Sequence, residues 1–140
     1  MLTLVGQSDA GAHLIYDAGF GYATRLLGYW VREKQIMSIE EAVRKLTFMV
    51  ASIFGLQGRG LLRQGMAADL CIFDPATIRE CDPHMVQDLP GNEKRYVQKA
   101  MGIEMTIVNG QVLVEKENHT GALPGTVLGN GHRAEVQAAA

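Results

Sequence analysis

Cysteine is scarce in this chain. Cys71 and Cys81 are the only two in 140 residues, and they form no Cys-x-x-Cys pair, so neither a dithiol redox motif nor a cysteine-based zinc module is expected. Cys71 lies in an apolar run and reads as a small buried hydrophobe. Charge of one sign is also missing. Thirteen Lys and Arg stand against fifteen Asp and Glu, for a net charge of -2, and no basic run or face emerges. Nucleic acid and anionic membranes are therefore poor partners. No stretch reaches the length of a membrane span, and the first residues carry neither a charged leader nor a cleavage pattern. A cytoplasmic protein is expected. Neither GxxxxGK[ST] nor GxGxxG occurs, so the glycines build no phosphate loop. His84, His119 and His132 show no metal-ligand spacing, and the chain has no internal repeat.

What is present reads in two grammars. Leu2 to Val5 is a short apolar strand ended by Gly6, followed by a Gly- and Asp-containing loop to about Gly21. From Tyr22 to about Lys34, Leu26, Leu27, Trp30 and Val31 recur at helical spacing. Ser38 then caps a second helix, with Glu41 at the capping-box position. Ile39, Ala42, Val43, Leu46, Met49, Val50 and Ile53 form its apolar face, and Gly55 stops it. Past Gly55 the pattern becomes short strands. Ala68 to Phe73 is one, turned by Asp74-Pro75. Residues 82–99 read as an extended polar excursion. "IEMTIVNGQVLVE" is a hairpin, because Asn-Gly between apolar runs supplies two residues that tolerate positive φ. The stretch from about Gly125 reads as a loose tail.

A lone strand with two helices has no sheet of its own to cover, and the later strands pair among themselves. The start therefore reads as the last βα unit of an α/β barrel, and the rest as a small β module. A whole barrel needs about 250 residues.

Asp9 stands just beyond the carboxyl end of the first strand, the rim where barrels hold catalytic residues. A carboxylate there can accept a proton from a reacting water or ligate a metal; equally, Ser-Asp-Ala-Gly is good turn chemistry. His13, in the same loop, reads as a metal ligand, a substrate contact or an ordinary loop histidine. Asp17 reads as an N-cap or turn residue.

"SDAGAH" after a strand, "SIEEAVRKLTFMVASIFGLQGRGLLRQGMAADLCIFDPATI" and "TIVNGQVLVEKENHTGALPGTVL" together resemble the C-terminal part of D-aminoacylase-like enzymes (N-acyl-D-amino-acid deacylases) of the amidohydrolase superfamily. The resemblance runs to about Leu128. It implies an α/β plus β fold, in which the end of a TIM-like barrel (residues 1–56) is followed by part of a small β-sandwich (57–128) and a tail (129–140). It also implies a hydrolase of small-molecule amides that uses zinc and a metal-activated water. By the resemblance Asp9 is the general base and a metal contact, while the other ligands come from earlier barrel strands absent here. The chain alone is then expected to be inactive and to need the missing N-terminal part of the barrel, or a homo-oligomer. The loop 10–17 departs from the D-aminoacylase pattern in having no arginine for a substrate carboxylate; Arg25 matches a different, helical arginine. His13 remains as a substrate contact. A dihydroorotase- or hydantoinase-like cyclic amidohydrolase, or a non-catalytic remnant serving as an interaction module, are the competing readings.

Overall fold

The computed structural model describes residues 3, 5, 8–10, 15 and 19–128. Of the strand expected at Leu2–Val5, Leu2 and Leu4 lie outside the described residues, and Thr3 and Val5 belong to no strand. The tail from residue 129 also lies outside them. Helix α1 (Tyr22–Arg25) runs directly into a π-helical segment (Leu26–Glu33). The Lys34 amide still closes on the Tyr29 carbonyl five residues back, at 2.9 Å. The expected helix is present, but most of it is wound wider than an α-helix.

Helix α2 (Ile39–Leu46) starts as its sequence prescribes, with the Glu41 amide donating to Ser38 Oγ at 3.2 Å. The reciprocal half of the box is unused, because Glu41 turns to Arg44 at 2.8 and 3.0 Å. Ser38→Ala should therefore lose the one cap bond and cost about 1 kcal/mol, read as a shifted denaturant midpoint with an unchanged slope.

The second expected helix does not continue unbroken to Phe54. Thr47 (φ -121, ψ -84) separates α2 from α3 (Phe48–Ile53). Its hydroxyl donates back to the Val43 carbonyl at 2.7 Å, a local bond that competes with the regular ladder and bends helices. The stop at Gly55 is where the sequence puts it, with φ +67.

Among the described residues eight strands follow, all paired antiparallel: β1 (Leu70–Phe73), β2 (Arg79–Glu80), β3 (His84–Val86), β4 (Arg95–Val97), β5 (Ala100–Met101), β6 (Ile103–Val108), β7 (Gln111–Glu115) and β8 (Asn118–His119). Strands β1, β6, β7 and β8 make one sheet in that order, β2 pairs with β5, and β3 with β4. The Asn-Gly hairpin is as expected. Asn109 (φ 47) and Gly110 (φ 80) both take positive φ, and Val108 faces Gln111. The excursion 82–99 is not simply extended: it folds back as the β3–β4 hairpin, braced by the Arg95–Asp88 pair at 2.6 and 2.7 Å. Cys71 corrects its reading too. It is exposed, and so is the neighbouring Ile72; because adjacent strand residues point to opposite faces, neither face is fully covered at the middle of β1 among the described residues. Partial desolvation nonetheless raises its thiol pKa.

The core gathers Leu26, Leu27, Ala42 and Ile78, with Val5, Val31, Val43, Leu46, Phe73 and Ile103 packed against it. Ile78, only 1% exposed, is where the helical layer meets the strands. A Cβ on Gly28 would stand 2.5 Å from the Ile78 carbonyl oxygen, and one on Gly102 2.5 Å from its amide nitrogen. Arg32 Nη1 donates to the same Ile78 carbonyl at 2.7 Å.

Asp74 shapes the turn that delivers Ile78. Its carboxylate accepts from the Ala76 amide and the Thr77 hydroxyl, both at 2.8 Å. These two bonds, the Ala76 amide first, and the nearby Arg32 charge hold its pKa below the ordinary aspartate range. A depressed carboxylate pKa contributes stability that is complete above the unfolded-state pKa and disappears as pH falls through the folded one. Asp74→Asn should accordingly flatten the acid limb of a stability-versus-pH curve, checked by denaturant melts between neutral and strongly acidic pH.

Candidate functional site

The segment leading to Asp9 is held from beneath. Val5 packs on the core, and the Lys45 ammonium donates to the Thr3 carbonyl at 2.8 Å. Lys45 is only 8% exposed, and Glu41 Oε1 lies 3.6 Å from its nitrogen. A buried ammonium is tolerated only when its donors are used, so this contact ties α2 to the start of the chain. The sequence carried one sign of it: Lys45 falls three residues after Ala42 and four before Met49, on the apolar stripe of the helix.

Beyond that anchor the chain turns. The Ala10 amide donates to Ser8 Oγ at 3.2 Å, so the turn uses the serine side chain. Asp9 is exposed, and among the described residues its carboxylate has no hydrogen-bond or ion-pair partner. The two ends of the loop lie side by side, since a Cβ on Gly19 would stand 3.6 Å from Ser8 Cβ. Helix α1 starts at this base. Gly21 lies against Glu80 and Gln98, and Arg25 Nη1 reaches Glu80 Oε1 at 2.7 Å. The turn and the first helix therefore share one end of the molecule with the β2 region. His13 and Asp17 lie outside the described residues.

A catalytic zinc takes three protein ligands and leaves a fourth position open. Among the described residues no three His, Cys, Asp or Glu converge on a common point, and Asp9 supplies one carboxylate. The described residues thus do not fit a complete zinc site. What Asp9 can do from here is accept and return a proton.

A second polar cluster went unanticipated. Arg59 pairs with Asp69 through Nη1 and donates to Asn109 Oδ1 through Nη2, the latter at 2.7 Å. The Asn109 amide donates to Asp69 Oδ1 at 2.8 Å, and its side-chain nitrogen to the Pro124 carbonyl at 2.6 Å. These bonds tie the Asn109-Gly110 turn to Arg59, Asp69 and Pro124, so the cluster clamps the hairpin turn.

The profile of the amidohydrolase family matches residues 4–114. The chain belongs to that family, and within it stands with the D-aminoacylase-like members. It is 36% identical over 112 residues to the N-acyl-D-aspartate deacylase of Alcaligenes xylosoxydans xylosoxydans, covering 80% of this chain and 21% of that protein. Among solved structures, an aspartate-to-alanine mutant of D-aminoacylase in complex with CuCl2 is 35% identical, with TM-score 0.61 over 78% of this chain and 21% of that one. The N-acyl-D-glutamate deacylase of Bordetella bronchiseptica, complexed with zinc and a phosphonate inhibitor that mimics the tetrahedral intermediate, is 32% identical with TM-score 0.56, over 71% of this chain and 19% of that one. The chain spans about a fifth of the length of the relatives it matches.

Proposed function

We propose that this chain provides the C-terminal fifth of a metal-dependent deacylase of N-acyl-D-amino acids, with Asp9 as its general base. In this reading residues 1–56 end the barrel, 57–128 belong to the β-sandwich and 129–140 form a tail. The observation that carries the reading is the Asp9 carboxylate, uncommitted among the described residues, at the head of an anchored segment, within a chain similar to deacylases over four-fifths of its length. A carboxylate so placed takes the proton of the attacking water as oxygen bonds to the acyl carbon. It returns that proton to the leaving nitrogen as the C–N bond breaks, yielding a carboxylate and an amine. The metal, zinc by likeness to the Bordetella bronchiseptica enzyme, would draw most of its ligands from outside the described residues and would activate the attacking water. His13 is assigned to substrate contact. Two free thiols suit a reducing, cytoplasmic compartment, and among the described residues no helix is long and apolar enough to cross a membrane.

The test is a fusion in which this chain replaces the matching fifth of the Alcaligenes N-acyl-D-aspartate deacylase. Hydrolysis of N-acetyl-D-aspartate, with N-acetyl-L-aspartate and dihydroorotate left intact, is the expected result. A folded fusion that opens only the cyclic amide would replace this reading with the dihydroorotase-like one.

A further inference from the structure

Position 45 lies on the buried side of α2. Ala42 on that side is 0% exposed and Lys45 only 8%, so the ammonium gives up most of its hydration. Methionine would fill that volume with less desolvation, and replacing a buried ion by an apolar group of similar size is often neutral or stabilising. What the ammonium adds is direction. It donates to the Thr3 carbonyl at 2.8 Å, across 42 residues of sequence, while Glu41 Oε1, 3.6 Å away, balances its charge. Its place in the last turn of α2, where a helix carries partial negative charge, favours the same cation. Val5 packs on the core nearby, but apolar contact is non-directional and holds a segment close without fixing its place along its own axis. The bond to a backbone carbonyl fixes that place.

We propose that Lys45 is a positioning residue: through Thr3 it sets where the segment delivers the Asp9 carboxylate. The proposal rests on the reading of Asp9 as general base given above, and extends it to a residue that acts only through Asp9. Thr3 stands six residues before Asp9. The turn that presents Asp9 is closed locally, by the Ala10 amide on Ser8 Oγ. A bond within residues 8–10 shapes the turn without placing it relative to α2, and the Lys45 bond supplies that reference. Proton transfer demands partners within hydrogen-bond reach, and a displacement of about 1 Å can cost roughly a hundredfold in rate.

The experiment is a double-mutant cycle in the fused deacylase, with N-acetyl-D-aspartate as substrate. Lys45→Met should lower kcat by about ten- to a hundredfold with KM little changed. Lys45→Arg, which keeps a cationic donor, should recover most of that loss. In the Asp9→Asn background Lys45→Met should cost almost nothing further, because asparagine takes no proton wherever it stands. Hydrogen exchange gives a readout apart from turnover: Lys45→Met should speed exchange of the Val5 and Ala10 amides and leave those of α2 protected. Unchanged kcat in Lys45→Met, a loss that multiplies in full with that of Asp9→Asn, or faster exchange throughout the chain would each overturn the proposal while leaving Asp9 as the base. Normal turnover in Asp9→Asn would instead remove the base itself, and the positioning role would fall with it.

Discussion

Asp9→Asn in the fused deacylase should lower kcat by about a hundred- to ten-thousand-fold, with KM close to its starting value, if Asp9 is the base proposed above. That loss is roughly 2.7–5.5 kcal/mol of transition-state stabilisation. Asparagine keeps the shape of the side chain and one acceptor oxygen but takes no proton near neutral pH. The local structure makes the substitution informative. The turn at residues 8–10 is closed by the Ser8 hydroxyl, so replacing Asp9 breaks no turn bond among the described residues. If Asp9 served only the turn, asparagine would substitute almost freely. Turnover near the unsubstituted level would remove Asp9 from the mechanism.

Gly102→Ala should disrupt the packing around Ile78. Gly102 holds φ +78, and an added Cβ would meet the Ile78 amide nitrogen at 2.5 Å, its Cα at 2.7 Å and the Thr77 carbonyl carbon at 2.8 Å. All three are backbone atoms, so no side chain can swing aside. The left-handed conformation alone costs an L-residue about 1–2 kcal/mol, and relieving the overlap means shifting the turn that Asp74 and Arg32 hold in place. Ile78→Ala, from the other side of the same contact, should cost about 2–5 kcal/mol, and Ile78→Val about 0.5–1.5 kcal/mol. Thermal melts should rank Val above both alanine variants, with Gly102→Ala at least as low as Ile78→Ala. A Gly102→Ala protein that melts with the unsubstituted chain would show that the β5–β6 junction does not press on Ile78.

The signals that were legible in the sequence are those whose physics is local. Ser38 caps α2, Asn109-Gly110 turns β6 into β7, and Asp74-Pro75 closes β1, each through bonds within a few residues. The break at Thr47 was also local, but a threonine hydroxyl bonding back to Val43 leaves no mark on hydrophobic spacing. The β3–β4 hairpin was hidden because its short strands lack an apolar alternation and rely on the Asp88–Arg95 pair. Cys71 misled for the opposite reason: an all-apolar strand implies two covered faces, yet Cys71 and Ile72, on opposite faces of β1, are both exposed. At the site, the Asp9 turn was readable from Ser-Asp-Ala-Gly. Its anchor, Lys45 to Thr3, spans 42 residues of sequence and no spacing rule reaches that far. His13 and Asp17 lie outside the described residues, so the structure leaves those two readings as they stood.

The clamp around Asn109 has a kinetic corollary. The turn it occupies joins neighbouring strands and closes by contacts among adjacent residues, on a timescale of about 1–10 μs for an isolated hairpin. Its side chain and amide also bind Pro124, Asp69 and Arg59, respectively 15, 40 and 50 residues away. Closing the longer loops carries an entropy cost that local pairing does not. The β6–β7 hairpin should therefore assemble first and wait for the Arg59 loop to arrive. Substituting Arg59 should then speed unfolding while leaving the folding rate nearly unchanged, the signature of a contact made after the transition state.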